Sequence, residues 1–251
     1  MKILYRLYQL FIVLPIGLVL TLLCALTTSV GCLFSASFWG YWPAHLWTRA
    51  IVRLLLLPVR VEGREHLDKK QSYVFVANHQ GAADIFLVYG FLDRNFKWMM
   101  KRSLRKMPLV GFACEKARHI FVDRSSPSKI RATYEAAREI LSEGTSLVVF
   151  PEGARTFTGH MGIFRKGAFL LAHEIDLPVV PLTINGSFDV LPRQRDFHFV
   201  NWHPLSLTIH APIPPNSSDP DHVKKALQAS YETIMQGLEP KYQGFVENAD
   251  Q

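Results

Sequence analysis

Asn78-His79-Gln80-Gly81-Ala82-Ala83-Asp84 carries the first candidate chemistry in the chain. It follows Tyr73-Val74-Phe75-Val76-Ala77, an apolar run that reads as a short buried strand. A histidine therefore stands at a strand end with a carboxylate five residues later. Along one helix, five residues turn through about 500°, which separates the two side chains. They meet only if Gln80-Gly81 turn and Asp84 opens the next helix. A carboxylate on one imidazole nitrogen fixes the tautomer and stabilises the imidazolium, leaving the other nitrogen as a general base. The segment equally fits a packed strand-end histidine beside a helix-capping aspartate.

Three further segments could do chemistry. Lys97 to Lys106 holds Lys97, Lys101, Arg102, Arg105 and Lys106 with no acid between them, and reads alone as a solvated or membrane-facing basic surface. Phe121-Val122-Asp123-Arg124 sets an arginine directly after a strand-like run. Phe150-Pro151-Glu152-Gly153-Ala154-Arg155-Thr156 does the same with a turn in front. Guanidinium forks onto phosphate oxygens, so a Pro-Glu-Gly turn presenting Arg155 makes an anion cradle. Alone, it is also satisfied by a Glu152–Arg155 pair. Other chemistries lack their signatures. There is no Gly-x-Ser-x-Gly elbow, and Ser103 and Cys114 have no nucleophile context. Ten histidines are present without tight metal-ligand spacing, and His173-Glu174 sits in an apolar helical pattern.

Positioning these groups requires an α/β scaffold. Expected strands are 59–62, 73–77, 97–100, 119–122, 147–150, 179–184 and 205–210. Expected helices are 82–92, 129–143, 167–175 and 221–238. The helix near 129 is the best defined: Ser126-Pro127 start it, Ile130, Tyr134, Ala137 and Leu141 share a face, and Gly144 stops it. The alternation predicts a mixed sheet covered by helices. After Pro240 the polar tail is expected to fray.

No charge occurs between Arg6 and Arg49. Residues 7–26, about 30 Å long as a helix, are enough to cross a bilayer's hydrocarbon core. Thr27-Thr28-Ser29 and Gly31 offer a break, and Phe38, Trp39, Tyr41, Trp42 and Trp47 suit the headgroup level. Lys2 and Arg6 precede the segment; Arg49, Arg53, Arg60 and Arg64 follow it. A hairpin keeps both basic flanks on the cytoplasmic side, whereas one straight span does not. A cleaved signal peptide competes, but the apolar character outlasts a normal h-region and no small-x-small site follows. Residues 49–58 read as an amphipathic surface helix. The expected organisation is an anchor over 1–58, a catalytic domain over 59–240 facing the cytoplasm, and a tail over 241–251.

The net charge of +7 is uneven: residues 1–78 carry eight Lys/Arg and three Asp/Glu, leaving only +2 for the rest. A basic excess that flanks an apolar segment points to an anionic membrane surface and away from nucleic acid. Three cysteines form no disulfide framework, as in a reducing compartment.

The blocks at His79–Asp84, Phe121–Arg124, Phe150–Thr156 and Leu177-Pro178-Val179-Val180-Pro181-Leu182 together resemble those of the 1-acyl-glycerol-3-phosphate acyltransferases, membrane enzymes of glycerolipid synthesis with an Asn-His-x4-Asp motif. The resemblance runs from Val59 to Ala211. It implies a glycerolipid acyltransferase-like α/β domain in which His79 deprotonates the acceptor hydroxyl and Asp84 orients it. It implies acceptor binding by Glu152, Gly153, Arg155, Arg124 and, less directly, Lys101. It implies a lysophospholipid acceptor, an acyl-CoA or acyl-carrier-protein donor, and no cofactor or metal. Phe164-Arg165-Lys166-Gly167-Ala168 is similar to a further stretch that shapes the site. Ala154 and Thr156 depart from the usual Thr and Ser. A lipid hydrolase using the same histidine is the rival from another class.

Overall fold

The computed structural model describes residues 2–123, 125–196 and 198–247. Its centre is β2 (Val74–Ala77), whose four residues are fully buried, as a continuous apolar run requires of a strand covered on both faces. Parallel partners flank it: β5 (Ser146–Val149) on one side and β7 (Val179–Asn185) on the other. Beyond β5 lie β3 (Phe96–Lys101) and β4 (Ile120–Val122), also parallel. Beyond β7, β8 (Leu205–Ile209) runs antiparallel and pairs in parallel with β1 (Val59–Glu62). The order β1-β8-β7-β2-β5-β3-β4 is thus a seven-stranded mixed sheet. All seven expected strands form, with ends shifted by a residue or so.

Helices cover both faces. On one, α5 (Ala83–Phe91) buries Leu87 and Val88 against Phe75 and Ala77. On the other, α7 (Pro127–Ser142), α8 (Gly167–Glu174) and α10 (His222–Gly237) pack Ala137, Leu141, Phe169 and Ile234 against Val74 and Val76. Ser126 caps α7 by accepting the Lys129 N–H, with Pro127 in the first turn. Short helices α6 (Val110–Lys116) and α9 (Ser187–Val190) fill connections to which the sequence pattern assigned no element.

Up to Glu247 the tail departs from expectation, and residues 248–251 lie outside the described residues. Residues 240–242 form a helical turn, and β9 (Phe245–Val246) pairs with β6 (Met161–Gly162). Tyr242 and Val246 are buried, and these two apolar contacts hold a segment whose average polarity suggested fraying.

The amino-terminal segment is a helix from Lys2 to Gly31, long and apolar enough to cross a membrane. It consists of α1 (Lys2–Tyr8), a π turn (Gln9–Val13) and α2 (Leu14–Gly31). Of the expected break, Thr27-Thr28-Ser29 stay helical and Gly31 is the last helical residue. Thr27 and Ser29 return their hydroxyls to the carbonyls of Leu23 and Ala25, which hides their polarity inside the helix. The chain reverses at 32–35, passes α3 (Ala36–Trp39), and returns as α4 (Trp42–Leu54). Trp47 Nε1 donates to Thr21 Oγ1 and Tyr8 Oη to Leu54 O, so the arms form an antiparallel hairpin. The return arm is one helix rather than an interfacial half followed by a surface helix. It buries His45, Thr48, Ile51 and Val52 and packs against α5.

Candidate active site

Parallel strands put the carboxyl ends of β2, β5, β3 and β4 on one edge, where α/β sheets bind ligands. Asn78 fixes the loop after β2. Its side-chain amide donates to Ile184 O at 2.9 Å and its Oδ1 accepts Ile184 N–H at 2.8 Å, a clasp onto β7. Gly81 then turns the chain where no larger residue fits: a Cβ there would lie 2.4 Å from the Ser187 carbonyl oxygen. Asp84 enters in the first turn of α5, and His79 Nδ1 meets its Oδ2 at 2.7 Å. The same oxygen accepts Gly81 N–H at 3.1 Å. Asp84 is wholly buried, whereas the His79 side chain stays 15 % exposed. With Nδ1 given to the carboxylate, His79 presents Nε2 as its free nitrogen. The turn read from the five-residue spacing is the one that forms.

Phe150, at the end of β5, stacks on the His79 ring with centroids 3.9 Å apart and planes 8° apart. Trp98 of β3 stacks on Phe150 in turn, at 5.4 Å. Sequence offered no signal for this stack beyond two aromatics near the ends of neighbouring strands.

Glu152 points inward. It is 6 % exposed, Oε1 accepts His79 N–H at 2.7 Å, and Oε2 accepts Gly162 N–H at 2.7 Å. Burial pushes its pKa up to about 8 against those two bonds. Its carboxylate holds the histidine loop and β6 rather than facing a ligand, and it does not pair with Arg155. Gly153 follows with φ +79°, a backbone conformation that favours glycine, and lines the cleft.

That cleft has a volume of about 810 Å³. His79 and Phe150 stand in its wall, and Ile85, Trp98, Met100 and Leu104 make it largely apolar. Lys101, Arg102 and Arg165 supply positive charge along it, although Arg102 is paired with Asp123. Ala154 lines the cleft, so the hydroxyl missing there is missing from the ligand side. Thr156 is buried and bonds His160 O, shaping the turn instead.

Arg155 is half-buried beside the dyad, within electrostatic reach of Asp84 and Arg193, and is not part of the cleft wall. Arg193 donates to the Arg155 carbonyl at 2.6 Å. Arg124 lies outside the described residues. Lys97, expected on a basic surface, is 3 % exposed and has no hydrogen-bond partner for Nζ among the described residues. It faces the other side of β3 from Trp98, beneath Gly40 and Ala117. Among the described residues, no three His, Cys, Asp or Glu side chains group to hold a metal ion.

A histidine–aspartate dyad thus stands at the head of an apolar cleft on a mixed sheet, and the chain that builds it is similar to known acyltransferases. The acyltransferase family model matches residues 58–185, just over half the chain, and the chain belongs to that family. A chloroplastic 1-acyl-sn-glycerol-3-phosphate acyltransferase of Arabidopsis thaliana is 30% identical over 64% of this chain and 45% of its own length. The human alpha form of an enzyme of that name is 31% identical over 69% of this chain and 64% of its own. The chain spans about half the length of the algal and plant relatives. The crystal structure of the 1-acyl-sn-glycerophosphate acyltransferase PlsC from Thermotoga maritima superposes with a TM-score of 0.69 at 25% identity. That match covers 90% of this chain and 96% of the other.

Proposed function

We propose that the protein is a membrane-bound 1-acyl-sn-glycerol-3-phosphate O-acyltransferase that makes phosphatidic acid. The observation carrying this reading is the 2.7 Å His79–Asp84 contact at the head of the apolar cleft. The relatives' names supply the acceptor.

In this reading, His79 Nε2 takes the proton of the acceptor hydroxyl as its oxygen attacks the thioester carbonyl of acyl-CoA or acyl-carrier protein. Asp84 holds the ring in the right tautomer and stabilises the imidazolium. The tetrahedral intermediate collapses with loss of thiolate, which recovers the proton from His79. Thiolate leaves readily, so no covalent acyl-enzyme is needed. The cleft's apolar walls suit an acyl chain. Arg155, with Lys101 and Arg124 as further candidates, attracts the acceptor phosphate. The long amino-terminal helix keeps the domain at the cytoplasmic face of a membrane.

The test is acyl transfer by purified full-length protein over acceptors with and without phosphate, and with both donors. His79→Ala should abolish transfer while circular dichroism stays native; retained turnover would sink the mechanism. Release of free fatty acid without acylated product would make the protein a hydrolase. Preference for a phosphate-free lysolipid, such as an aminolipid, would move the acceptor assignment.

A further inference from the structure

The segment after β3 carries apolar residues where a water-soluble surface would not. The helical turn Arg102–Lys106 and α6 together expose Leu104, Met107, Leu109 and Phe112, the last two 58% and 53% exposed. Leu109 takes φ +60°, a conformation costly for any residue with a Cβ, and it does so with its side chain outward. Strain spent on displaying leucine to water has no folding rationale. Basic residues alternate with these apolar ones: Arg102, Arg105, Lys106 and Lys116. Arg105 pairs with Glu115, locking the turn to α6, and Lys116 reaches over the Phe112 ring at 5.2 Å.

This unit also packs on α2, with Cys24 and Cys114 within electrostatic reach of each other. The apolar outer face of α2, including Leu22, Leu26 and Val30, is exposed, as are Leu33 and Phe34 just beyond it. A helix lying beside α2 at Cys24 therefore shares its surroundings. Arg102, Ser103 and Leu104 are at the same time part of the wall of the cleft that holds His79.

We propose that the turn Arg102–Lys106 and α6 form a second membrane contact, inserting Met107, Leu109 and Phe112 into an anionic leaflet at the mouth of the cleft. The proposal rests on the reading of α1–α2 as membrane-embedded. Apolar side chains with cationic neighbours suit the boundary between acyl chains and anionic headgroups, and long basic side chains reach back to phosphate. Soluble donors carry phosphates too, and Arg102, Arg105 and Lys106 border a basin of about 640 Å³. A donor site would close its apolar side chains around the acyl chain, whereas Leu109 and Phe112 face outward and line neither the basin nor the cleft. The cleft then opens into lipid, and a lysolipid enters by lateral diffusion.

The experiment adds one tryptophan at a time to the full chain reconstituted in vesicles whose lipid tails carry bromine. Emission of each variant is taken as the difference from wild type. Leu18→Trp reports α2. Lys224→Trp, exposed on α10 over the opposite face of the sheet, is the control. Phe112→Trp should be quenched as L18W is, with K224W unquenched. Adding Lys106→Gln should lower the anionic-over-neutral excess of F112W insertion about fivefold, the effect of one surface charge. Quenching of L18W but not F112W overturns the second contact and leaves the anchor standing; quenching of neither overturns both. An F112W emission indifferent to bromolipid but altered by palmitoyl-CoA assigns the surface to the donor and also overturns the proposal.

Discussion

The carboxylate of Glu152 accepts the backbone N–H of His79 at 2.7 Å, tying together two loops separated by 73 positions in the chain. Its other oxygen accepts Gly162 N–H. Glu152→Gln keeps the shape but turns an amide donor toward one of two N–H groups. Leaving a buried donor unmet costs about 1–3 kcal/mol, readable in a denaturant midpoint. The effect depends on pH. Burial raises the Glu152 pKa from 4.5 to about 8, so the folded protein binds a proton that the unfolded chain has released. The stability this confers is complete below about 4.5 and is lost as pH rises to about 8. The wild-type advantage over Glu152→Gln should shrink across that window. An advantage growing with pH would show that the carboxylate is ionised.

Asp84→Asn retains an oxygen for Gly81 N–H and removes the charge opposite His79 Nδ1. General-base catalysis contributes two to four orders of magnitude, so kcat should fall on the order of 10³-fold with a native circular dichroism spectrum. A kcat close to wild type would leave Asp84 as a cap only.

Gly81→Ala tests the turn independently of any charge. The new methyl meets backbone oxygens of Ser187 and Leu191 at 2.4 and 2.8 Å, which cannot rotate away. Overpacking of this kind costs about 1–3 kcal/mol. Thermal unfolding should shift down, and kcat should fall with it because Asp84 follows in the same turn. Unchanged stability would mean the loop has room that its geometry denies.

Arg155→Ala should raise the KM for a phosphorylated acceptor roughly 10- to 100-fold, the loss of a hydrogen bond to charge. The KM for monoacylglycerol should stay put. Equal losses on both acceptors would make Arg155 a packing residue beside Asp84.

The scaffold was legible because the strands are short apolar runs with nothing else to do. The contact of the dyad was legible only as a condition: five residues admit one geometry in which His79 and Asp84 touch, and the spacing fitted a packed histidine equally well. What escaped was whatever depends on a distant partner. Glu152 looked like part of an anion cradle because the donors it accepts from, the N–H groups of His79 and Gly162, are backbone atoms that leave no trace in residue type. Lys97 counted as surface charge because β3 was read as one basic patch, although alternate strand residues face opposite sides. Residues 27–29 looked like a break because a hydroxyl that bonds its own helix is indistinguishable from one that ends it. β6 and β9 are two residues each, below any periodicity.

Gln9 sits in the π turn between α1 and α2, where the extra residue per turn swings it toward the domain. It is buried, donates to Val200 O at 2.8 Å, and accepts Val200 N–H at 3.0 Å. Asn78 makes the same two-point clasp on Ile184. With α2 also braced along α4 and α6, the apolar helix is a keel rather than a leash. These contacts fix the angle between helix and domain, so a helix inserted in a lipid layer, as proposed above, would present the same face of the domain to it. In the proposed membrane-bound enzyme, substrate is then sampled in two dimensions with the angle of approach already chosen, and a longer linker at residues 55–58 would not free the domain while the Gln9 clasp holds.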